Sequence, residues 1–132
     1  MVTERTREER QARLYPEGVH VFDLDAQAGV LRGETAYQEN GRDGITLVKN
    51  PNLRVVVEAL RAGAGLAEHH APGPITVHVL QGELRFNTGG EAIPLRPGEM
   101  LALPAGQPHS VHAVQDTTFL ITIAPLPRGT QG

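Results

Sequence analysis

An all-β fold, a small barrel or sandwich, is what this sequence predicts. Three observations carry that prediction. Short apolar runs recur along the chain, punctuated by Gly and Pro. The 15 glycines and 10 prolines exceed the roughly 12% of average usage without any collagen-like period, and they fall between the apolar runs, as an all-β chain with many turns requires. Five of the six histidines (His69, His70, His78, His109 and His112) lie within Gly63–Ala113, which suggests imidazoles at the mouth or in the interior of the barrel.

Length and composition set the bounds. With 132 residues the chain predicts one domain, large enough for a core without staples. The absence of cysteine excludes disulfides, thiolate metal sites and a Cys nucleophile. Any metal must therefore be held by His and carboxylates. The net charge of −3 comes with no basic stripe, so no nucleic-acid partner is expected. No apolar run approaches the ~18 residues of a membrane span. The N-terminal stretch MVTERTREERQAR lacks the apolar segment of a secretory signal. A cytoplasmic protein is the simplest expectation.

The elements follow in order. Residues 1–18 read as a polar tail or short surface helix, rich in Glu and Arg. The barrel domain is expected over 19–125, and 126–132 as a C-terminal tail. Val19–Leu24 alternates weakly and reads as a first strand carrying His20 at a surface or edge position. Residues 26–43 are polar and Gly-rich, and read as a long loop with at most one short strand at Gly29–Arg32. Tyr37, within it, is a candidate to cover a pocket. Ile45–Lys49 and Leu53–Arg61 are strands separated by the Asn50-Pro51-Asn52 turn. Glu58 shares a period-two face with Val56 and Leu60. Either that face points inward and the carboxylate needs a partner or a metal, or it points outward and the carboxylate is solvated.

Shorter strands come next: Ile75–Leu80, Glu83–Phe86, Glu91–Leu95, Glu99–Leu103, His109–Val114 and Thr117–Ala124. Asn87-Thr88-Gly89-Gly90 is a hairpin signal, and Arg96-Pro97-Gly98 and Gln115-Asp116 are turns. Pro104-Ala105-Gly106-Gln107-Pro108 is a stiff loop. Ten or so short strands with no internal repeat fit a sandwich or barrel.

Two motifs in this region resemble those of the cupin superfamily. The first has Gly63, five residues, His69 and a closing Gly82. The second has Gly98, five residues, Pro104-x-Gly106, two residues and His109, with Ala113 in the place of the family's Asn. The resemblance covers about residues 45–124. It implies a double-stranded β-helix, or jelly-roll barrel, of the RmlC-like kind, usually a homodimer and often holding a divalent metal. In the family the ligands are two His and one Glu from the first motif and one His from the second. Here the second His position falls on Ala71 in one register; in the other the pair becomes Glu68 and His70. The Glu position is Ile75 in both.

The resemblance thus implies a divalent metal (Zn, Fe, Mn or Ni) at His69 and His109, with His70, His78 or Glu58 completing the set. On a regular strand His69 and His70 point to opposite faces, so both can ligate only if the chain bends between them, a bend for which Ala71-Pro72-Gly73-Pro74 is the candidate. His78 lies three residues past Ile75, and His112 three past His109, so regular strands turn both away from the site. Glu58, Glu68 and Tyr37 are candidates for a substrate pocket.

Three functions stay open. The first is a small metal-dependent dioxygenase-, isomerase- or lyase-type enzyme acting on a small molecule. The second is a metal-free binding or sensory module. The third is a barrel that serves only to form dimers through edge strands such as Leu53–Arg61.

Overall fold

The computed structural model describes residues 18–125; the expected tails at 1–18, but for Gly18, and at 126–132 lie outside them. Nine strands occur among the described residues: β1 (Arg42–Asn50), β2 (Leu53–Leu60), β3 (Gly65–His69), β4 (Ile75–Gln81), β5 (Leu84–Thr88), β6 (Glu91–Leu95), β7 (Met100–Leu103), β8 (His109–Ala113) and β9 (Thr117–Ile123). They form two antiparallel sheets, a five-stranded one in the order β1-β2-β9-β4-β7 and a four-stranded one in the order β3-β8-β5-β6. Non-consecutive strands are neighbours in both, which is jelly-roll connectivity. Among the described residues no helix is long and apolar enough to cross a membrane.

The turns act as their residues dictate. Asn50 Oδ1 accepts from the N–H groups of Asn52 and Leu53, both at 2.9 Å. This Asx turn joins β1 to β2 around Pro51. Gly89 and Gly90, both at positive φ, close the β5–β6 hairpin. Strand β3 lies outside the expected strands, because Ala67, Glu68 and His69 are exposed and give no apolar alternation.

Residues 19–41 depart from expectation. Val19–Leu24 is not a strand, and the Gly-rich stretch is not a loop. Helix α1 spans Leu24–Gly33 and helix α2 spans Thr35–Asn40. Asp23 caps α1, its carboxylate accepting from Ala26 N–H at 3.0 Å. Leu24 and Leu31, spaced i and i+7, meet one core, and Ala28, on the same face of the helix, is buried. That packing outweighs the roughly 1 kcal/mol that Gly29 costs a helix relative to Ala. Helix α2 ends at Gly41, whose left-handed φ of 74° lets its N–H reach Tyr37 O at 2.8 Å.

The two helices give the molecule a second core. Leu31, Tyr37, Ile45, Leu47, Val57 and Ala59 pack between the helices and the β1–β2 face. Tyr37 is 6% exposed, with the Arg61 guanidinium 5.2 Å from its ring centre. It is a core residue, where the expectation had it cover a pocket. The main core lies between the sheets and includes Val77, Val79, Leu84, Phe86 and Phe119. Strand β2 serves both cores: Val57 and Ala59 face the helices, while Leu60 faces the barrel.

Candidate functional site

Strand β8 begins at His109, and the loop before it fixes how that residue enters the barrel. Gln107 Nε2 donates to Thr88 Oγ1 at 2.8 Å, and Thr88 Oγ1 donates to Pro108 O at 2.9 Å. The loop is thus tied to β5 by side chains. Gly106 N–H donates to Ala71 O at 3.1 Å, joining it to the segment that carries His70. His109 is 4% exposed and stacks on Phe86, ring centroids 5.2 Å apart and planes 14° apart. Its Nδ1 lies 3.0 Å from Gln107 O. A carbonyl only accepts, so Nδ1 carries the proton and Nε2 keeps the lone pair. Burial lowers the pKa of His109 below 6.5; the bond to Gln107 opposes this, and His69 and His70 add to it. Burial thus favours the neutral ring.

His69 arrives from the other motif with the same local bond and the opposite exposure. It is the last residue of β3, and the β3–β8 register breaks between Leu66 and His69, where His69 pairs with His109. Its Nδ1 lies 3.0 Å from Ala67 O, which again leaves Nε2 as the acceptor. The two rings meet edge to face, centroids 4.3 Å apart at 60°.

The strand ends there, and the chain turns through Pro72 and Gly73. Gly73 is obligatory in this turn, since an added Cβ would overlap Ala124 O. His70 therefore leaves the strand geometry and lines the same cavity as His69 and His109. The opposite-face arrangement expected of a regular strand does not hold, because β3 stops one residue too early for it.

This cavity lies between the sheets, about 230 Å³ in volume, with residues of β2, β3, β4, β5, β8 and β9 in its wall. Val77, Phe86, Val111, Phe119 and Ile121 make most of it apolar.

The cupin-domain family profile matches residues 56–124, more than half the chain. The protein belongs to the cupin family. No curated protein sequence matches the chain. Among solved structures it is similar to a cupin superfamily protein of Desulfitobacterium hafniense DCB-2 (TM-score 0.69, 18% identity, 86% of this chain and 96% of that one). It is also similar to an RmlC-like cupin of Shewanella frigidimarina NCIMB 400 (TM-score 0.61, 21% identity, 68% and 81%). A third is a mutant salicylate 1,2-dioxygenase of Pseudoaminobacter salicylatoxidans (TM-score 0.63, 24% identity), covering 76% of this chain but 32% of that one. At these identities the likeness is one of fold.

In this cupin the family's Glu position is Ile75, 5% exposed and in the cavity wall. The donor chemistry still suits a divalent metal in part. Two imidazoles with fixed tautomers present Nε2, and an Nδ1–H held by a backbone carbonyl is the usual support of a ligating His. Metal sites of this type take three or four ligands. Among the described residues no group of three or more His, Asp or Glu stands ready to hold a metal. His69 and His109 are thus two fixed donors, and His70 stands on the same wall.

The remaining candidates are dispersed. His78 lies on β4 opposite Met100 and Leu120, on the face shared with Thr76 and Leu80, turned away from the cavity; it is removed from the ligand set. His112 is exposed on the outer face of β8, as the spacing predicts. His20 is exposed and stacks on Phe22. Glu68 borders a separate polar groove with Asn87, Thr88 and Gln107. Glu58 is half-buried rather than solvated and sits in its own recess beside Asp43 and Arg42. Its register partner is Gly44, where any Cβ would collide with the carboxylate. Neither Glu58 nor Glu68 lines the histidine cavity.

One charged residue of the cavity lies outside the sequence expectations. Arg54 lines the wall. The signal for it was available, since Arg54 shares the period-two face of Val56, Glu58 and Leu60.

Proposed function

We propose that this cupin binds a divalent metal ion through His69 and His109 and a small molecule beside it, as a metal-dependent enzyme of the dioxygenase or isomerase type. The observation that carries the reading is the meeting of two imidazoles 4.3 Å apart, each with Nδ1 held by the carbonyl two residues before it. Both Nε2 atoms are left as donors at one cavity. His70, on the same wall, is the candidate third ligand. A bound metal would supply Lewis-acid polarisation of a substrate oxygen, with open coordination positions for it. The chain's own contribution is to hold the imidazoles, to keep His109 neutral by burial, and to give the substrate an apolar, water-poor wall.

A second reading, a metal-free binding module, is favoured by Ile75 standing where the family has its carboxylate. Thermal melting with Mn(II), Fe(II), Ni(II) and Zn(II) separates the two. Metal at about a hundredfold excess over Kd adds roughly 2.7 kcal/mol of stability. The expected result is a rise in Tm with one or more of these ions that is lost in His69→Ala and His109→Ala and kept in His78→Ala. A flat response to all four ions overturns the metal reading in favour of the module.

A further inference from the structure

We infer that the cavity between the sheets takes a small organic carboxylate, and that Arg54 is the residue that grips its charged end. This deepens the small-molecule reading of the cavity and does not require a metal to be present.

The first ground is an unsatisfied donor. Arg54 lines the cavity, and its Nε is buried with no hydrogen-bond partner among the described residues. A guanidinium stays protonated in any protein, so this N–H is always a donor. Buried polar groups almost always find partners, and a charged donor left without one is costly. A ligand acceptor removes that cost. The Nε–H and an Nη–H form a planar fork, and a carboxylate matches that fork with two parallel bonds.

The second ground is the charge of the wall. Among the described residues, the ionisable ones lining the cavity are Arg54, His69, His70 and His109, with no Asp or Glu. Glu58, the acid on the same strand face, lines a different recess. An anion entering the cavity therefore meets attraction without a competing carboxylate.

Size and shape narrow the class. The cavity, at about 230 Å³, is smaller than the ~300–1,000 Å³ of drug-sized sites. Apart from the four basic residues its wall is apolar. A short aliphatic or single-ring acid fits that description. One permanent positive charge, with no helix N-terminus in the wall, suits a monoanion better than a phosphate dianion.

The test pairs acids with their isosteric amides. Isobutyrate and isobutyramide, benzoate and benzamide, and phenylphosphonate are titrated calorimetrically into the full-length, chelator-treated protein. At least one acid is expected to bind about tenfold or more tighter than its amide, the worth of a charge-assisted hydrogen bond. The preference is expected to vanish in Arg54→Met and to survive in part in Arg54→Lys. Ligand-free Arg54→Met is expected to melt no lower than the wild type, because it removes an unsatisfied donor. Acids and amides that bind alike, or fail alike, overturn the inference. So does a preference that persists in Arg54→Met, or phenylphosphonate binding ahead of both acids. An Arg54→Met variant that unfolds without ligand gives Arg54 a structural role and overturns it too. The metal titration run on the same samples separates this inference from the reading it rests on. Acid preference with no metal response keeps Arg54 and overturns the metal; metal response with no acid preference does the reverse.

Discussion

His69 and His109 touch edge to face, yet they reach that contact from unlike surroundings. His109 is buried, stacked on Phe86 and set by a loop whose side chains bond to β5. His69 is exposed, at the end of a strand whose own residues are exposed. What they share is local: each ring is oriented by the carbonyl two residues upstream. The tautomer is thus fixed by short-range geometry on both arms, whereas position is fixed by packing on one arm only. The second motif is therefore the rigid half of the site, and the first is the half that can adjust to what binds.

Four substitutions sharpen that contrast. The largest effect is expected at the support of the rigid arm. Phe86→Ala removes a fully buried ring and should cost about 3–5 kcal/mol in chemical denaturation, as core aromatic truncations do. A loss below about 1 kcal/mol would show that the cavity collapses and that Phe86 is not what holds His109.

Ile75→Glu comes next. It places the family's carboxylate in a wall that is now apolar, and in metal-free protein the cost should be on the order of 3 kcal/mol, from lost apolar burial and a desolvated carboxyl. If the carboxylate reaches the histidines, Mn(II) or Ni(II) should return part of that loss in thermal melts. A loss indifferent to both ions would place Ile75 outside reach of the site.

The smallest effect compares the two imidazoles directly. His109→Ala should destabilise the metal-free protein by about 1–3 kcal/mol, by opening a gap over Phe86 and orphaning Gln107 O. His69→Ala, at an exposed position, should stay within about 0.5 kcal/mol. Equal losses would break the rigid-and-adjustable distinction.

Much of this was legible in the chain. The strands from β4 to β9 follow from apolar runs cut by Gly and Pro, because in a two-sheet fold period-two burial and turn chemistry are local properties. The outward turn of His112 follows from the same period. The helices did not show, since Gly29 and Gly33 read as loop residues while the Leu24 and Leu31 pair is too short a pattern and acquires its meaning only against β1 and β2. Tyr37 was misplaced for the same reason. The exit of His70 from the strand was half visible, because Ala71-Pro72-Gly73-Pro74 offers a bend in the chain while the course of that bend depends on Gly73 packing against Ala124, about fifty residues away.

By itself the sequence determined the barrel and the family, and its motif spacing singled out His69 and His109 as candidates. Tertiary structure alone decided the company they keep. It put His70 on their wall, sent His78, Glu58, Glu68 and Tyr37 elsewhere, and brought Arg54 in from a strand the motifs do not include. The physical reason is that spacing along a strand fixes which face a side chain takes, whereas the closure of two sheets fixes which faces meet.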